Sequence, residues 1–370
     1  MNQNTIGVAV IGTGFGQKVH IPGLQAHHRT EVVAVYNPDL EKAKKVASAN
    51  NIPRASNSLE EIISLPEVAA VTVSTPPFLH YQMAKKVLDA GQHLLLEKPT
   101  TLTVNEAREL YRLAAAKNCA GTMDFEFRFV PAWQRFAELL AEGYVGDKRL
   151  IKIDWLVSSR ANPERPWNWY SQKEKGGGAL GAIASHSFDY ISWLFGPAQR
   201  IWGQLSTSIK TRPDPAAGGE LKPVDADDTC NLMLELADDT PCQICLSSVT
   251  ANGRGHWVEV YGSKGTLIVG SDNLKDYVKG FKIWGSQNGE DLAEIPIPER
   301  LEFPRVYPDG RIAPFVRVVD KWVEAIDGGK SLVPSLREGV YSQLLMDLTH
   351  ESNVTGSWVN IPDFEKFLER

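Results

Sequence analysis

The sequence predicts an α/β protein of two domains: a doubly wound parallel sheet, then an α+β domain on a large, mainly antiparallel sheet. Three observations carry this. At 370 residues the chain is too long for one ordinary core. Its first third alternates apolar runs with helix-patterned segments, as right-handed crossovers between parallel strands require. Beyond about residue 150, period-two segments follow one another without helices between them, the pattern of an antiparallel sheet with one covered face. The expected division is 1–123 and 124–370.

In the first domain, Val8 to Ile11 form the first strand and Glu31 to Tyr36 the second. Asn37-Pro38-Asp39 ends the second strand, and Leu40 to Ala47 resumes as a helix. Ser58 to Glu61 and Thr103 to Glu106 have the spacing of capping boxes and start further helices. Strands are expected at Ala69 to Val73, His93 to Leu96 and Ala120 to Phe125, with a helix from Leu79 to Ala90 stopped by Gly91. In the second domain, Pro131 to Glu142 is a helix with Trp133, Phe136, Ala137 and Leu140 on one face. Ile151, Ile153, Trp155 and Val157 alternate with polar residues as a half-buried strand. Strands are also expected at 200–208, 229–236, 241–249, 256–261, 266–269 and 281–284, and helices at 314–326 and 336–348. Lys210 to Asp228, rich in proline, glycine and charge, reads as an exposed loop.

Composition excludes several classes. With 43% hydrophobic and 23% charged residues the chain is ordinary globular protein. A net charge of −6 argues against nucleic-acid binding. No apolar run is long enough to cross a bilayer, and MNQNT leads straight into the first strand, leaving no room for a signal peptide. Cys242 and Cys245 have C-x-x-C spacing, but PCQICLSSV reads as a strand, where residues three apart face opposite ways. With Cys119 and Cys230 they are expected to be structural thiols in a reducing cytoplasm, with no metal site.

The glycines after the first strand point to chemistry. Gly12, Thr13, Gly14, Phe15 and Gly16 join an uncharged apolar strand to a segment that can be helical. A strand, a glycine turn and a helix N-terminus together form the phosphate cradle of a dinucleotide-binding Rossmann domain. The third glycine of G-x-G-x-x-G falls at Gln17, with Gly16 one residue early. Ligands of open parallel sheets bind beyond the carboxyl ends of the strands, which here carry Gly12 to Gly14, Asn37, Ser74-Thr75-Pro76, Glu97-Lys98-Pro99 and Asp124. A lysine directly after an apolar strand and before a proline makes Lys98 the foremost of these. Farther on, Gly176-Gly177-Gly178-Ala179-Leu180 precedes His186, which Gly196-Pro197 places near the N-terminus of the intervening helix. There the helix dipole disfavours the imidazolium, so His186 could accept a proton from a hydroxyl.

The Glu97-Lys98-Pro99 strand end, Thr75-Pro76 with His80, the glycine run with His186, and the late Tyr261 to Thr266 segment together resemble the Gfo/Idh/MocA oxidoreductases over nearly the whole chain. The resemblance implies hydride transfer between NAD or NADP and a carbinol or carbonyl carbon of a small substrate, often a sugar or cyclitol. It implies that Lys98 stabilises the reacting oxygen, that His186 is the general acid/base, that Glu97 and Pro99 position the lysine, that Thr75 and Pro76 flank the nicotinamide, and that Glu97 lies near its ribose. Ser74 and His80 belong to the same cofactor-binding set. Ala182 stands where many relatives have an aspartate four residues before the histidine; Asp189 is a candidate replacement as a substrate contact, although it reads better as a structural carboxylate in the first turn of its helix. Asn37 stands where NAD-preferring sites carry a carboxylate, and Lys42 resembles a lysine of NADP-binding relatives, which favours NADP slightly. Arg128, Trp167 and Tyr170, with Arg160, Asn168 and Trp169 around them, are candidate substrate contacts, the aromatics being equally compatible with a core.

The leading function is therefore an NAD(P)-dependent oxidoreductase. The runner-up is a dinucleotide-binding regulatory or scaffold protein on the same fold, motivated by Ala182 and the altered glycine motif. A third reading is a lyase or hydrolase that uses nicotinamide transiently. A homodimer or homotetramer is expected, because one face of the large sheet needs cover.

Overall fold

The computed structural model describes residues 5–273, 276 and 278–369. Of the MNQNT segment expected ahead of the first strand, residues 1–4 lie outside them. Packing divides the chain into two units, 1–126 with 305–343 and 127–304 with 344–370. Residues 305–343 pack with the first unit in this division.

In the first unit, β1 (Ile6–Ile11), β2 (Thr30–Tyr36), β3 (Arg54–Ser56), β4 (Ala70–Val73), β5 (His93–Leu96) and β6 (Gly121–Met123) form a parallel sheet in the order β3-β2-β1-β4-β5-β6. This is the doubly wound Rossmann order, with its crossover point between β1 and β4. The helices are α1 (Ile21–Ala26), α2 (Leu40–Ala49), α3 (Leu59–Ile63), α4 (His80–Asp89) and α5 (Val104–Ala116). Their starts follow the local chemistry: Asp39 and Ser58 side chains accept the N–H groups of Lys42 and Glu61, and Thr103 with Glu106 makes a reciprocal capping box. β1 and β4 are buried almost end to end, which a sheet covered on both faces demands.

In the second unit, α6 (Pro131–Ala141) precedes β7 (Lys148–Leu156), and α7 (Ser185–Phe195) precedes β8 (Ala198–Ser206). β9 (Thr211–Asp214) pairs with β10 (Glu220–Pro223) as a separate antiparallel hairpin. Then come β11 (Thr229–Leu236), β12 (Pro241–Ser247), β13 (Gly255–Gly262), β14 (Gly265–Ser271), β15 (Lys282–Gln287), β16 (Ala293–Ile295) and, near the end, β17 (Val359–Asn360). The large sheet runs β16-β15-β14-β13-β7-β12-β11-β8-β17, antiparallel except for the parallel pair β7 and β12. Two long helices, α8 (Ile312–Gly328) and α9 (Leu336–Thr355), follow the sheet in sequence, and α10 (Phe364–Glu369) ends the chain. α8 belongs to the first unit, where its Phe315 packs so close to Gly23 of α1 that a Cβ there would collide with the ring. No described helix is long and apolar enough to cross a membrane.

The segment at 210–228, expected to be an exposed loop, is largely exposed but contains the β9–β10 hairpin and several buried polar side chains. Arg212 donates to the carbonyls of Arg160 and Asn162, both at 2.7 Å. Asp228 accepts the N–H groups of Ser208 and Ile209 at 2.7 and 3.0 Å, and Arg212, Asp214, Asp227 and Asp228 are all buried. Arg212 and Asp228 thereby satisfy backbone groups rather than water.

Candidate functional site

The glycine turn shows three different uses of a missing Cβ. Gly12 has φ +109°, and a Cβ on it would lie 2.7 Å from the Ser74 carbonyl oxygen. A Cβ on Gly16 would strike the Ser74 hydroxyl, so this residue performs the close helix-to-strand packing expected of the third glycine. It opens a π-helical turn, Gly16–His20, that runs directly into α1 and accommodates the one-residue offset. A Cβ on Gly14 would meet nothing within 4 Å, so a side chain there would fill only the space that a ligand can use. An open, backbone-lined cradle at the start of a helical run fits a dinucleotide pyrophosphate.

Around the cradle, the Asn37 amide donates to Thr13 Oγ1 at 2.6 Å, and Asn37 Oδ1 accepts the Asp39 N–H. Lys42 is exposed in the first turn of α2. The Arg311 guanidinium lies 5.0 Å from the centre of the Phe15 ring while holding Asp309 through two hydrogen bonds. Arg311 is a cation beside the glycine turn, within the same unit, that no local sequence signal reveals.

At the ends of β4 and β5, Ser74 Oγ donates to the Ile11 carbonyl at 3.2 Å. His80, expected among the cofactor-binding residues, is buried, with Nε2 2.8 Å from the Thr75 carbonyl and Nδ1 2.9 Å from the Pro99 carbonyl. It ties the Thr75-Pro76 turn to the Lys98-Pro99 turn, whose peptide is cis. Burial pulls its imidazolium below the usual range, against the opposing pull of these carbonyls.

Glu97, expected near the ribose and as a residue that positions Lys98, is buried just beyond β5. Its Oε1 lies 3.0 Å from His20 Nε2, and its Oε2 accepts the Lys98 N–H at 3.2 Å. Burial pushes this carboxyl up, but the His20 hydrogen bond and neighbouring charges outweigh it and hold Glu97 below the usual value. His20, Glu97 and Asp124 converge, one side-chain nitrogen or oxygen of each lying within 4.8 Å of the others. Lys98 itself is half-buried at the carboxyl end of β5.

In the second unit, His186 is the second residue of α7 but not near the start of the helical run. A π-helical turn, Leu180–Ala184, feeds α7 directly and contains Ala182. Asp227 meets the start of that run, accepting the Leu180 N–H at 2.7 Å. The dipole argument for His186 is corrected accordingly. Gly178 has φ +106°, and a Cβ on it would lie 2.6 Å from Asp227 Oδ1. The His186 ring sits edge-on to Phe127, with centroids 5.0 Å apart, beside Trp155 at 6.0 Å. That aromatic group includes His256, stacked on Trp155 at 4.0 Å, whose imidazolium burial pulls down to about 3.

Arg128 and Asp189, read as substrate contacts, bind each other. Arg128 Nε reaches both carboxylate oxygens at 3.1 and 2.9 Å, and Nη2 reaches Oδ1 at 2.7 Å. Trp167 donates through Nε1 to the Pro223 carbonyl at 2.9 Å, fixing it to the hairpin. The Arg160 guanidinium lies 3.9 Å from the centre of the Tyr170 ring, and burial pushes the Tyr170 phenol up to about 12. All four cysteines are free thiols; Cys242 is buried and Cys245 half-buried.

Comparison with known proteins follows the same lines. Residues 6–125 match the oxidoreductase family's NAD-binding Rossmann fold, and residues 137–361 match its C-terminal alpha/beta domain. An uncharacterized oxidoreductase of Synechocystis sp. is 58% identical over 361 residues, spanning 98% of this chain and 97% of its own length. Levoglucosan dehydrogenase of Pseudarthrobacter phenanthrenivorans is 26% identical over 402 residues, spanning 96% and 98%. Among solved structures, an oxidoreductase domain protein from Kribbella flavida superposes with a TM-score of 0.87 at 25% identity, covering 97% of this chain and 100% of its own. Levoglucosan dehydrogenase in complex with NADH and L-sorbose shares the fold, with a TM-score of 0.86 at 24% identity and 98% and 100% coverage. The chain belongs to the Gfo/Idh/MocA oxidoreductase family, with an NAD-binding Rossmann domain followed by the family's C-terminal α/β domain.

Proposed function

We propose that this protein is a nicotinamide-dependent dehydrogenase that oxidises a carbinol carbon of a sugar, anhydrosugar or cyclitol, or reduces the matching carbonyl. The observation that carries the reading is the pairing, within one Rossmann unit, of an open glycine cradle with Lys98 at the carboxyl end of β5. The levoglucosan dehydrogenase relative supports the sugar class.

Hydride acceptance or donation is the chemistry that a bound nicotinamide supplies. Thr13, Gly14, Phe15 and Gly16 would hold the pyrophosphate through backbone N–H groups, while Gly12, whose N–H is donated to the Tyr36 carbonyl, would turn the chain. Thr75 and Pro76 would flank the nicotinamide, held by His80 through the Thr75 carbonyl. Lys98 would stabilise negative charge developing on the substrate oxygen, and His186 would carry the proton. The uncharged Asn37 and the exposed Lys42 support acceptance of a 2′-phosphate, so NADPH is proposed beside NADH. A homodimer or homotetramer in the cytoplasm completes the reading, and light scattering of the purified protein tests the assembly.

The test is a nicotinamide-fluorescence titration with NADH and NADPH in wild type and Lys42→Ala, followed by a screen of sugars, anhydrosugars and cyclitols with the better cofactor. Lys98→Ala and His186→Ala should bind cofactor and lose turnover. Binding without turnover on any substrate class would favour the regulatory reading that Ala182 motivates. Failure to bind either cofactor would overturn the proposal.

A further inference from the structure

Asp124 stands just beyond β6 with its side chain 1% exposed. Among the described residues neither of its oxygens receives a hydrogen bond, although Oδ2 lies 3.5 Å from His20 Nε2. The charged and titratable groups around it are Glu97 and Lys98 after β5, His20 in the turn after the glycine cradle, and Glu126 in its own segment. His80, from α4, also feels the Glu97 charge. Burial, then the Glu97 and Glu126 charges, push the Asp124 carboxyl well above the usual carboxylate range.

Two carboxylates this close and this dry do not both ionise; one keeps a proton and donates it to the other. Glu97 is the one supplied with donors, from the Lys98 N–H and from His20. Asp124 has none, so it retains the proton. We propose that Asp124 is a neutral carboxylic acid whose O–H is shared with the Glu97 carboxylate, and that this shared proton seats both the Lys98 backbone and the turn that carries the glycine cradle. Glu97 links the two, because its other contacts are the Lys98 N–H and the ring of His20, the last residue of the Gly16–His20 turn. Asp124 is thus a positioning residue. Its bearing on catalysis rests on the dehydrogenase reading, but its protonation does not.

The experiment uses the full chain without cofactor. Infrared difference spectra of wild type against Asp124→Asn should show a protonated-carboxyl C=O band at neutral pH. In Glu97→Gln, which removes the neighbouring charge, that band should vanish at lower pH than in wild type. Stability supplies a second readout. A carboxyl whose folded pKa is raised contributes stability that is present below its unfolded value and lost as pH rises towards the folded value. Asp124→Asn abolishes that loss. Its folding equilibrium constant should gain on wild type by about tenfold per pH unit from about pH 4 upward, levelling at the folded pKa. With NADH added, wild-type affinity should fall on the alkaline side as the proton is lost, Asp124→Asn should stay flat, and Asp124→Ala should be weaker by about tenfold throughout, the equivalent of about 1.4 kcal/mol. No carboxyl band, a band indifferent to Glu97→Gln, or a pH-independent stability difference would each overturn the proposal. Absence of NADH binding in every variant would instead overturn the dehydrogenase reading and leave the infrared and stability arms standing.

Discussion

Breaking the Arg128–Asp189 pair separates a structural from a substrate-binding role for both residues. Their side chains are 9% and 2% exposed and make three N–H···O contacts of 2.7 to 3.1 Å. Asp189→Leu leaves the guanidinium in the interior without this carboxylate. Removing one member of a buried pair costs about 3–5 kcal/mol. For a unit of this size that lowers the melting temperature by about 10 °C. Replacing both residues, as Arg128→Met with Asp189→Leu, removes both charges and their desolvation together, so the double variant should recover most of the loss. The assay is thermal and urea unfolding of the four proteins of the cycle, with NADH binding measured alongside. NADH affinity should not change, because both residues lie outside the Rossmann unit. Single variants that lose less than about 1 kcal/mol would refute the structural role, since that is the range of an exposed pair. Unchanged stability with a raised KM would return both residues to the substrate.

Other substitutions test the remaining assignments. Gly14→Ala should leave stability unchanged, since its Cβ meets nothing within 4 Å, yet weaken NADH binding by about tenfold by occupying the cradle. Gly16→Ala should instead destabilise by about 1–3 kcal/mol through its clash with the Ser74 hydroxyl, and Ser74→Ala should relieve most of that in the double variant. Asp227→Ala removes the carboxylate that caps the Leu180 N–H and should cost about 1–2 kcal/mol in urea unfolding. His256 is neutral in the fold, its imidazolium pulled down to about 3 by burial. Its contribution is therefore intact above the unfolded value near 6.5 and is lost as pH falls towards about 3. His256→Gln should flatten the acid side of the stability profile across that window.

Much of the Rossmann unit is legible in the sequence because its signals are local. Asp39, Ser58 and Thr103 cap helices that begin within a residue or two of them. The apolar runs at 8–11, 70–73 and 93–96 announce strands buried on both faces, and the glycines after the first mark where a backbone must approach closely. Lys98 is legible for the same reason, since a polar residue at the carboxyl end of such a strand lies where ligands bind. In the second unit, the period-two pattern reveals the long central strands but not β16 or β17, which are too short to show a period.

What tertiary structure decided involves partners far apart in the chain. Polar composition at 210–228 gives no hint that Arg212 binds carbonyls some fifty residues away, or that Asp227 starts the helical run that carries His186. Arg311 reaches Phe15 only because α8 returns to the first unit. Glu97 and Asp124 each look like an ordinary strand-end carboxylate, and only the alignment of β5 with β6 and the turn after β1 brings them to His20. Periodicity, caps and glycine turns act over a few residues and so are written along the chain. Shared protons and buried ion pairs depend on which strand ends meet, and that is settled only when the sheet forms.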